Sequence, residues 1–78
     1  MSYMFEVYYL APQAKEREAH ILSEVEAGGG WLDFWETMND ERTIVLTYDF
    51  PELEQARSIM EKLQQAGEYV EGPQDYGD

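Results

Sequence analysis

The fold is decided by the stretch WLDFWETMNDERTIVLTYDF, residues 31–50. Residues 31–38 and 42–50 are rich in β-branched and aromatic side chains, which favour strands. Between them, residues 39–41 (Asn-Asp-Glu) are polar and of the kind that tight turns prefer. The stretch therefore predicts a β-hairpin at the centre of the chain.

A strand and a helix are predicted before the hairpin. Residues 3–10, YMFEVYYL, have the composition of a strand, and Pro12 suits the first turn of a following helix. Three glycines, residues 28–30, then end this helix. They do not indicate a phosphate-binding loop, because the glycines of such a loop lead into a helix N-terminus, whereas these follow a helix and precede a strand.

A second helix and a short strand are predicted after the hairpin. Pro51 can start the helix, and Ala66 with Gly67 supplies its C-terminal signal. A strand around residues 68–71 then completes a single domain of residues 1–71. Residues 72–78 hold two glycines, a proline and two aspartates, and are predicted to form a flexible acidic tail.

The predicted order of elements is β-α-β-β-α-β. In this order the chain resembles a ferredoxin-like fold over nearly its full length. The resemblance implies an α+β domain, with a four-stranded antiparallel sheet, both helices on one face and the other face open. It implies no activity, because this architecture hosts many unrelated functions.

Each predicted helix has one apolar face. The face of the second helix consists of Leu53, Ala56, Ile59, Met60 and Leu63. The face of the first helix consists of Ala11, Ala14, Ile21, Leu22 and Val25, interrupted by Glu18. A carboxylate facing a core has a raised pKa, which makes Glu18 a candidate perturbed acid. The favoured alternative is that its carboxylate reaches water or accepts a hydrogen bond from a nearby tyrosine hydroxyl.

The composition excludes several classes of function. Seventeen acidic and five basic side chains give the 78 residues a net charge of −12, which disfavours nucleic acid and anionic membranes as partners. The absence of cysteine excludes disulfides, thiolate zinc sites and cysteine nucleophiles. With one histidine and no calcium-loop spacing, neither a metal site nor a cofactor is expected. No signal peptide or transmembrane segment is visible, so a cytoplasmic protein is expected.

The open face of the sheet is the predicted binding surface. If residues 39–41 close the hairpin, Leu32 and Phe34 face the core, and the open face gathers Met4, Tyr8, Trp31, Asp33, Trp35 and Val45. Aromatic residues and methionine are enriched at protein interfaces, and monomers rarely expose such a patch. A two-residue turn would instead turn Trp31 and Trp35 toward the core, because a one-residue shift in register reverses a strand.

Three functions fit these features. The leading expectation is a self-associating binding or assembly module, most simply a homodimer formed through the open face. The first alternative is a dimeric enzyme or ligand-binding protein with a pocket between two sheets, where Asp33 and Glu6 would be the candidate acids. The second is an acidic partner of a basic protein surface. It ranks last, because an evenly spread excess of acidic residues is typical of solubility.

Overall fold

The computed structural model describes residues 2–76 and confirms the ferredoxin-like α+β layout. Its six elements, in chain order, are β1 (Ser2–Leu10), α1 (Lys15–Ala27), β2 (Trp31–Thr37), β3 (Thr43–Phe50), α2 (Leu53–Gln65) and β4 (Tyr69–Tyr76). The strands form one antiparallel sheet in the order β2-β3-β1-β4, so β1 and β3 lie at its centre.

The core lies between one face of the sheet and both helices. The predicted apolar alternation of β1 is confirmed, since Phe5, Val7 and Tyr9 are buried. They pack with four residues of β3 and with five of the helices, which are Ile44, Leu46, Tyr48, Phe50, Ile21, Val25, Ala56, Ile59 and Leu63. The rings of Phe5 and Phe50 stack at a centroid distance of 5.4 Å. The apolar faces of the two helices therefore meet the sheet as predicted.

The hairpin contains a β-bulge that the sequence analysis did not anticipate. Leu32 pairs with Tyr48, but the next pairs are Phe34 with Thr47 and Trp35 with Leu46, which leaves Asp33 as the extra residue. An inserted residue reverses the alternation of the strand beyond it. The predicted faces are therefore right for Trp31 and Leu32 and wrong for Trp35, which lies on the helix side, and for Phe34, which lies on the open side.

The turn of the hairpin is held by one aspartate. The carboxylate of Asp40 accepts hydrogen bonds from the backbone N–H groups of Arg42 and Thr43 at 2.8 and 3.0 Å. It also accepts one from the Thr43 hydroxyl at 3.0 Å. These bonds lower the pKa of Asp40, the contact with the Arg42 N–H most of all. Asp40 thus stabilises the turn by bonding to backbone N–H groups, which is usual for aspartate in turns.

Strand β4 is longer than predicted. It begins at Tyr69 and continues to Tyr76, and residues 74–76 pair with β1 opposite Met4, Tyr3 and Ser2. The predicted end of this strand at residue 71 is therefore wrong, because β4 continues into the segment predicted as a tail. The register of β4 against β1 shifts at Gly72. The φ of +124° at this position suits glycine, and the absence of a side chain lets β4 pass β1 closely. Residues 77–78 lie outside the described residues.

Both helices end in the same capping motif. In α1 the N–H groups of Gly29 and Gly30 donate to the carbonyls of Glu26 and Val25 at 3.1 and 2.9 Å. In α2 the N–H of Gly67 donates in the same way, to the carbonyl of Gln64 at 3.0 Å. Gly29 and Gly67 have φ values of +94° and +99°. This is the Schellman geometry, which confirms that the glycines are C-caps.

Each helix begins a little later than predicted, at Lys15 and Leu53. Within the described part of the chain, neither of these 13-residue helices has the length and apolarity to cross a membrane.

Candidate binding face

The side of the sheet that faces away from the helices is here named the open sheet face. The strand registers place on it Met4, Glu6, Tyr8, Leu10, Trp31, Phe34, Glu36, Val45, Thr47, Asp49, Tyr69 and Glu71, and the unpaired bulge residue Asp33 joins them beside Asp49. Five of these residues are acidic and none is basic. Large apolar or aromatic side chains lie between the acids, so charge and apolar area alternate across the face.

The basic residues of the chain all lie elsewhere. Four are on the helices and one is in the hairpin turn, namely Lys15, Arg17, Arg57, Lys62 and Arg42. Arg17 is paired with Glu68 at 2.7 Å and Lys62 with Glu24 at 3.1 Å. No side chain of the strands therefore neutralises the open sheet face, which has a negative potential of its own.

One acidic cluster lies where β1 and β4 meet. The hydroxyl of Tyr8 donates to Glu6 at 2.8 Å, and that of Tyr69 donates to Glu71 at 2.9 Å. The two tyrosine rings meet edge to face with their centroids 5.7 Å apart. Burial, the hydrogen bond to Glu6 and the nearby negative charges raise the pKa of Tyr8 to about 12. The hydroxyls therefore stay protonated and hold the two carboxylates in fixed positions.

A second acidic cluster lies where β2 and β3 meet. Asp49 is only 5% exposed, and among residues 2–76 its Oδ1 atom has no hydrogen-bond partner. Burial raises the pKa of Asp49, and the charge of Asp33 and a hydrogen bond with Asp33 raise this pKa further. A hydrogen bond with Ser2 lowers the pKa by a smaller amount. The bulge thus brings two carboxyl groups together. Sequence reasoning missed Asp49, although alternation from Val45 and Thr47 places it on this face.

The structure does not bring together the two acids of the enzyme hypothesis. Glu6 accepts a hydrogen bond from Tyr8, whereas Asp33 lies beside Asp49. Among the described residues, no group of three or more His, Cys, Asp or Glu side chains is arranged to hold a metal ion. The groups that the open sheet face presents are carboxyl groups and aromatic rings.

The predicted binding residues divide between surface and interior. Met4, Tyr8, Trp31, Asp33 and Val45 all lie on the open sheet face, as predicted. Val45 is only 3% exposed, however, because it lies on a central strand beneath its neighbours, so it forms the floor of the face. The apolar contact area comes instead from Trp31, which is 45% exposed, and from Phe34, which is 55% exposed.

Trp35 meets Glu18 on the opposite side of the sheet. The Glu18 carboxylate accepts hydrogen bonds from Trp35 Nε1 at 3.0 Å, from Gln13 Nε2 at 3.1 Å and from the Tyr9 hydroxyl. The Tyr9 hydroxyl in turn accepts the Ala14 N–H at 2.9 Å. Burial alone would raise the pKa of Glu18, but the three donors outweigh it and lower the pKa. The prediction of a raised pKa for Glu18 is thus wrong, and the alternative, a hydrogen bond from a tyrosine hydroxyl to its carboxylate, is confirmed.

A cleft lies beside this carboxylate, between α1 and strands β2 and β3. It has a volume of about 240 Å³ and is here named the α1–β2 cleft. Its walls are mainly apolar and are formed by Gln13, Lys15, Glu18, Ala19, Leu22, Leu32, Leu46 and Tyr48. Pockets for drug-sized ligands are usually larger, about 300–1,000 Å³. The cleft is therefore small for a drug-sized ligand.

Strand β2 borders both the cleft and the open sheet face. It is an edge strand, and all seven of its residues are exposed. Trp31 and Phe34 lie on its open side, whereas Leu32 and Trp35 lie on its helix side. Large apolar side chains are therefore exposed on both faces of a strand whose outer edge pairs with no other strand of the described residues.

Comparisons of the chain with protein-family models, with curated proteins and with solved structures find no match. The ferredoxin-like architecture alone does not define a function. The function is therefore inferred from the chemistry of the open sheet face and of β2.

Proposed function

We propose that this protein is a binding module whose open sheet face takes a cationic partner, a protein segment rich in lysine and arginine. The observation that carries the proposal is the pattern of the face. Three exposed acids and the half-buried Glu6 lie among exposed aromatic rings, with the buried Asp49 beneath them, and no basic side chain lies on any described strand residue. This is the charge pattern that complements a basic segment.

The aromatic residues favour the same kind of partner. A guanidinium or ammonium group is attracted to the face of an aromatic ring, most strongly to tryptophan. Arginine can stack on a ring and donate two parallel hydrogen bonds to a carboxylate at the same time. A ring and a nearby carboxyl group occur together on both edge strands of the sheet. They are Trp31 with Asp33 on β2 and Tyr69 with Glu71 on β4.

Self-association through the open sheet face is the second candidate. The exposed apolar side chains of Leu10, Trp31 and Phe34 favour it. A face-to-face dimer, however, brings the five carboxylates of one copy against the same five of the other, and like charges in contact are destabilising. We therefore expect any such dimer to strengthen in high salt, whereas binding of a cationic segment should weaken.

The test is a calorimetric titration of the intact protein with a short peptide rich in lysine and arginine. One variant replaces three acids of the open sheet face, Glu6→Gln, Glu36→Gln and Glu71→Gln. Its matched control removes the same charge from exposed helix positions, Glu16→Gln, Glu26→Gln and Glu61→Gln. Exposed charge pairs are worth about 0.2–1 kcal/mol each, so the open-face variant should bind roughly tenfold more weakly.

The control variant distinguishes recognition of the open sheet face from a general effect of the protein's net charge. It should retain most of the affinity, because its carboxylates remain where the partner docks. Equal losses in the two variants would mean that the peptide responds only to total charge. Either that result or an absence of binding by the wild-type protein in low salt would overturn the proposal.

A further inference from the structure

We infer that the cationic partner docks as an extended strand on the free edge of β2, with alternate side chains over the open sheet face and in the α1–β2 cleft. This inference rests on the proposed function and specifies how the partner is held. It predicts a sequence pattern for the partner, namely basic residues alternating with apolar ones.

The first step is the availability of the edge. Among residues 2–76, strand β2 pairs only with β3, and each of its seven residues is exposed. The N–H and C=O groups along such an edge can pair with an added strand, which is a common mode of peptide recognition. Adding a strand there extends the sheet without disturbing any pairing that the structure contains.

The second step is the difference between the two sides of that edge. Successive side chains of a strand point to opposite faces of the sheet, so alternate residues of an added strand meet alternate environments. On the open side they meet Asp33, Glu36 and the rings of Trp31 and Phe34. On the helix side they meet Leu32 and the mainly apolar α1–β2 cleft. One side therefore selects basic residues and the other selects apolar ones.

The third step excludes a second copy of this chain as the preferred occupant. The sequence of β2, WLDFWET, contains two acids and no base, and both acids lie on or beside the open sheet face. Pairing β2 with its own copy would bring these acids together on one face, which is destabilising. A strand with lysine or arginine at those positions would bring opposite charges together instead.

The test uses seven-residue peptides, equal in length to β2. One peptide alternates lysine or arginine with valine or leucine, and the second contains the same residues with the bases in one block. Both tryptophans of the chain lie in β2, so their emission reports directly on this edge. The alternating peptide should bind roughly tenfold more tightly than the blocked one and should shift the tryptophan emission.

Backbone pairing is tested by methylating alternate amide nitrogens of the alternating peptide. An added strand directs every second N–H toward β2, so only one of the two methylation patterns removes bonding donors. We expect roughly tenfold weaker binding for one pattern and near-normal binding for the other. Equal affinity of the two methylated peptides would overturn the inference.

The cleft is tested by filling it. Ala19 is an exposed α1 residue that lines the cleft, so Ala19→Phe should occupy it and weaken binding of the alternating peptide severalfold. Ala27→Phe, at an exposed position of the same helix that does not line the cleft, is the control and should bind normally. Equal binding by both variants would contradict insertion of partner side chains into the cleft.

These outcomes distinguish the inference from the proposal beneath it. If the blocked peptide binds as tightly as the alternating one, and the Glu6, Glu36 and Glu71 variant still binds weakly, then the cationic partner is retained and strand addition is wrong. If no basic peptide binds, both are wrong.

Discussion

At the scale of single residues, Glu18 is a stabilising ionised group. Three donors, from Tyr9, Trp35 and Gln13, converge on its carboxylate and tie α1 to two strands and to the β1–α1 connection. Because the folded-state pKa is lowered, this stabilisation is present above the unfolded pKa and is lost as pH falls through the folded value. Glu18 is thus a structural residue of α1 and no longer a candidate general acid.

We predict that Glu18→Ala lowers the free energy of unfolding by about 2 kcal/mol near neutral pH, because hydrogen bonds to a charged group are worth about 1.5–3 kcal/mol. Urea unfolding followed by tryptophan emission measures the change. Glu16→Ala, at an exposed position of the same helix, is the control and should change stability by no more than about 0.5 kcal/mol. Equal effects of the two substitutions would contradict this role for Glu18.

Asp49 has the opposite effect on stability. Its folded-state pKa is raised, so the folded protein binds a proton more tightly than the unfolded chain between the unfolded and folded pKa values. Stability therefore falls as pH rises through that window, and above it Asp49 is a buried charge beside Asp33.

We predict that Asp49→Asn raises the free energy of unfolding by on the order of 1 kcal/mol at a pH above the folded-state pKa of Asp49, because it removes a poorly partnered buried charge. Thermal unfolding at several pH values measures this effect. The gain should shrink as pH falls below the folded-state pKa, where Asp49 of the wild-type protein is itself protonated. A destabilised variant at a pH above this pKa would contradict the assignment of Asp49 as the strained carboxyl group.

At the scale of elements, the sequence predicts the strands and helices well and their exact geometry less well. Alternation in β1 and periodicity in α2 depend on many residues at once, so they identify the core face despite local exceptions. The bulge at Asp33 depends on one inserted residue, and no turn signal or proline marks it. It reverses Phe34 and Trp35 together, so the predicted faces of these two residues are wrong.

The end of β4 was missed for a related reason. Gly72 and Pro73 are residue types that usually end a strand. Here the glycine lets the backbone pass β1 closely, and pairing with β1 resumes beyond it. Of the candidate site, the sequence could therefore identify the open sheet face and two of its aromatic residues, Tyr8 and Trp31. Alternation along β3 could also have identified Asp49, but Phe34 depends on the bulge and the α1–β2 cleft depends on tertiary contacts.

The link between α1 and β2 supplies a prediction at this scale. A Cβ atom on Gly30 would lie 2.5 Å from Phe50 Cε2 and 2.8 Å from the Asp49 carbonyl oxygen. Gly30→Ala should therefore lower the free energy of unfolding by about 1–3 kcal/mol through overpacking. Gly67→Ala is the comparison, because no atom lies within 4 Å and only its positive φ opposes alanine. Thermal unfolding should show the larger loss for Gly30→Ala, and the reverse order would contradict this packing.

At the scale of the whole molecule, the reach of charge repulsion depends on salt. The radius of gyration is 11.8 Å and the net charge is −12. The Debye length is about 30 Å in 0.01 M salt, so the acids repel one another across the molecule there, but it is about 8 Å in physiological salt, where mainly neighbouring acids do so. The acids are spread evenly along the sequence, but the bases are not spread evenly over the structure. They occur on the helices and the hairpin turn and on none of the described strand residues.

We therefore predict that the melting temperature rises between about 0.01 M and about 1 M salt, over which the Debye length falls from about 30 Å to about 3 Å. Differential scanning calorimetry measures this change. The gain should be smaller in the Glu6, Glu36 and Glu71 triple variant, because fewer like charges remain to be screened. A melting temperature that falls steadily with salt would contradict the importance of self-repulsion.

The central claim is that a cationic segment binds on the open sheet face and along β2. Its most direct test is an amide chemical-shift map of the protein, recorded by NMR while the alternating basic peptide is added in low salt. The predicted result is that the largest shifts lie in β2 and in the acidic positions of the open sheet face, with little change in α2. Shifts concentrated on the outer surfaces of the helices, or no shifts at all, would contradict the claim.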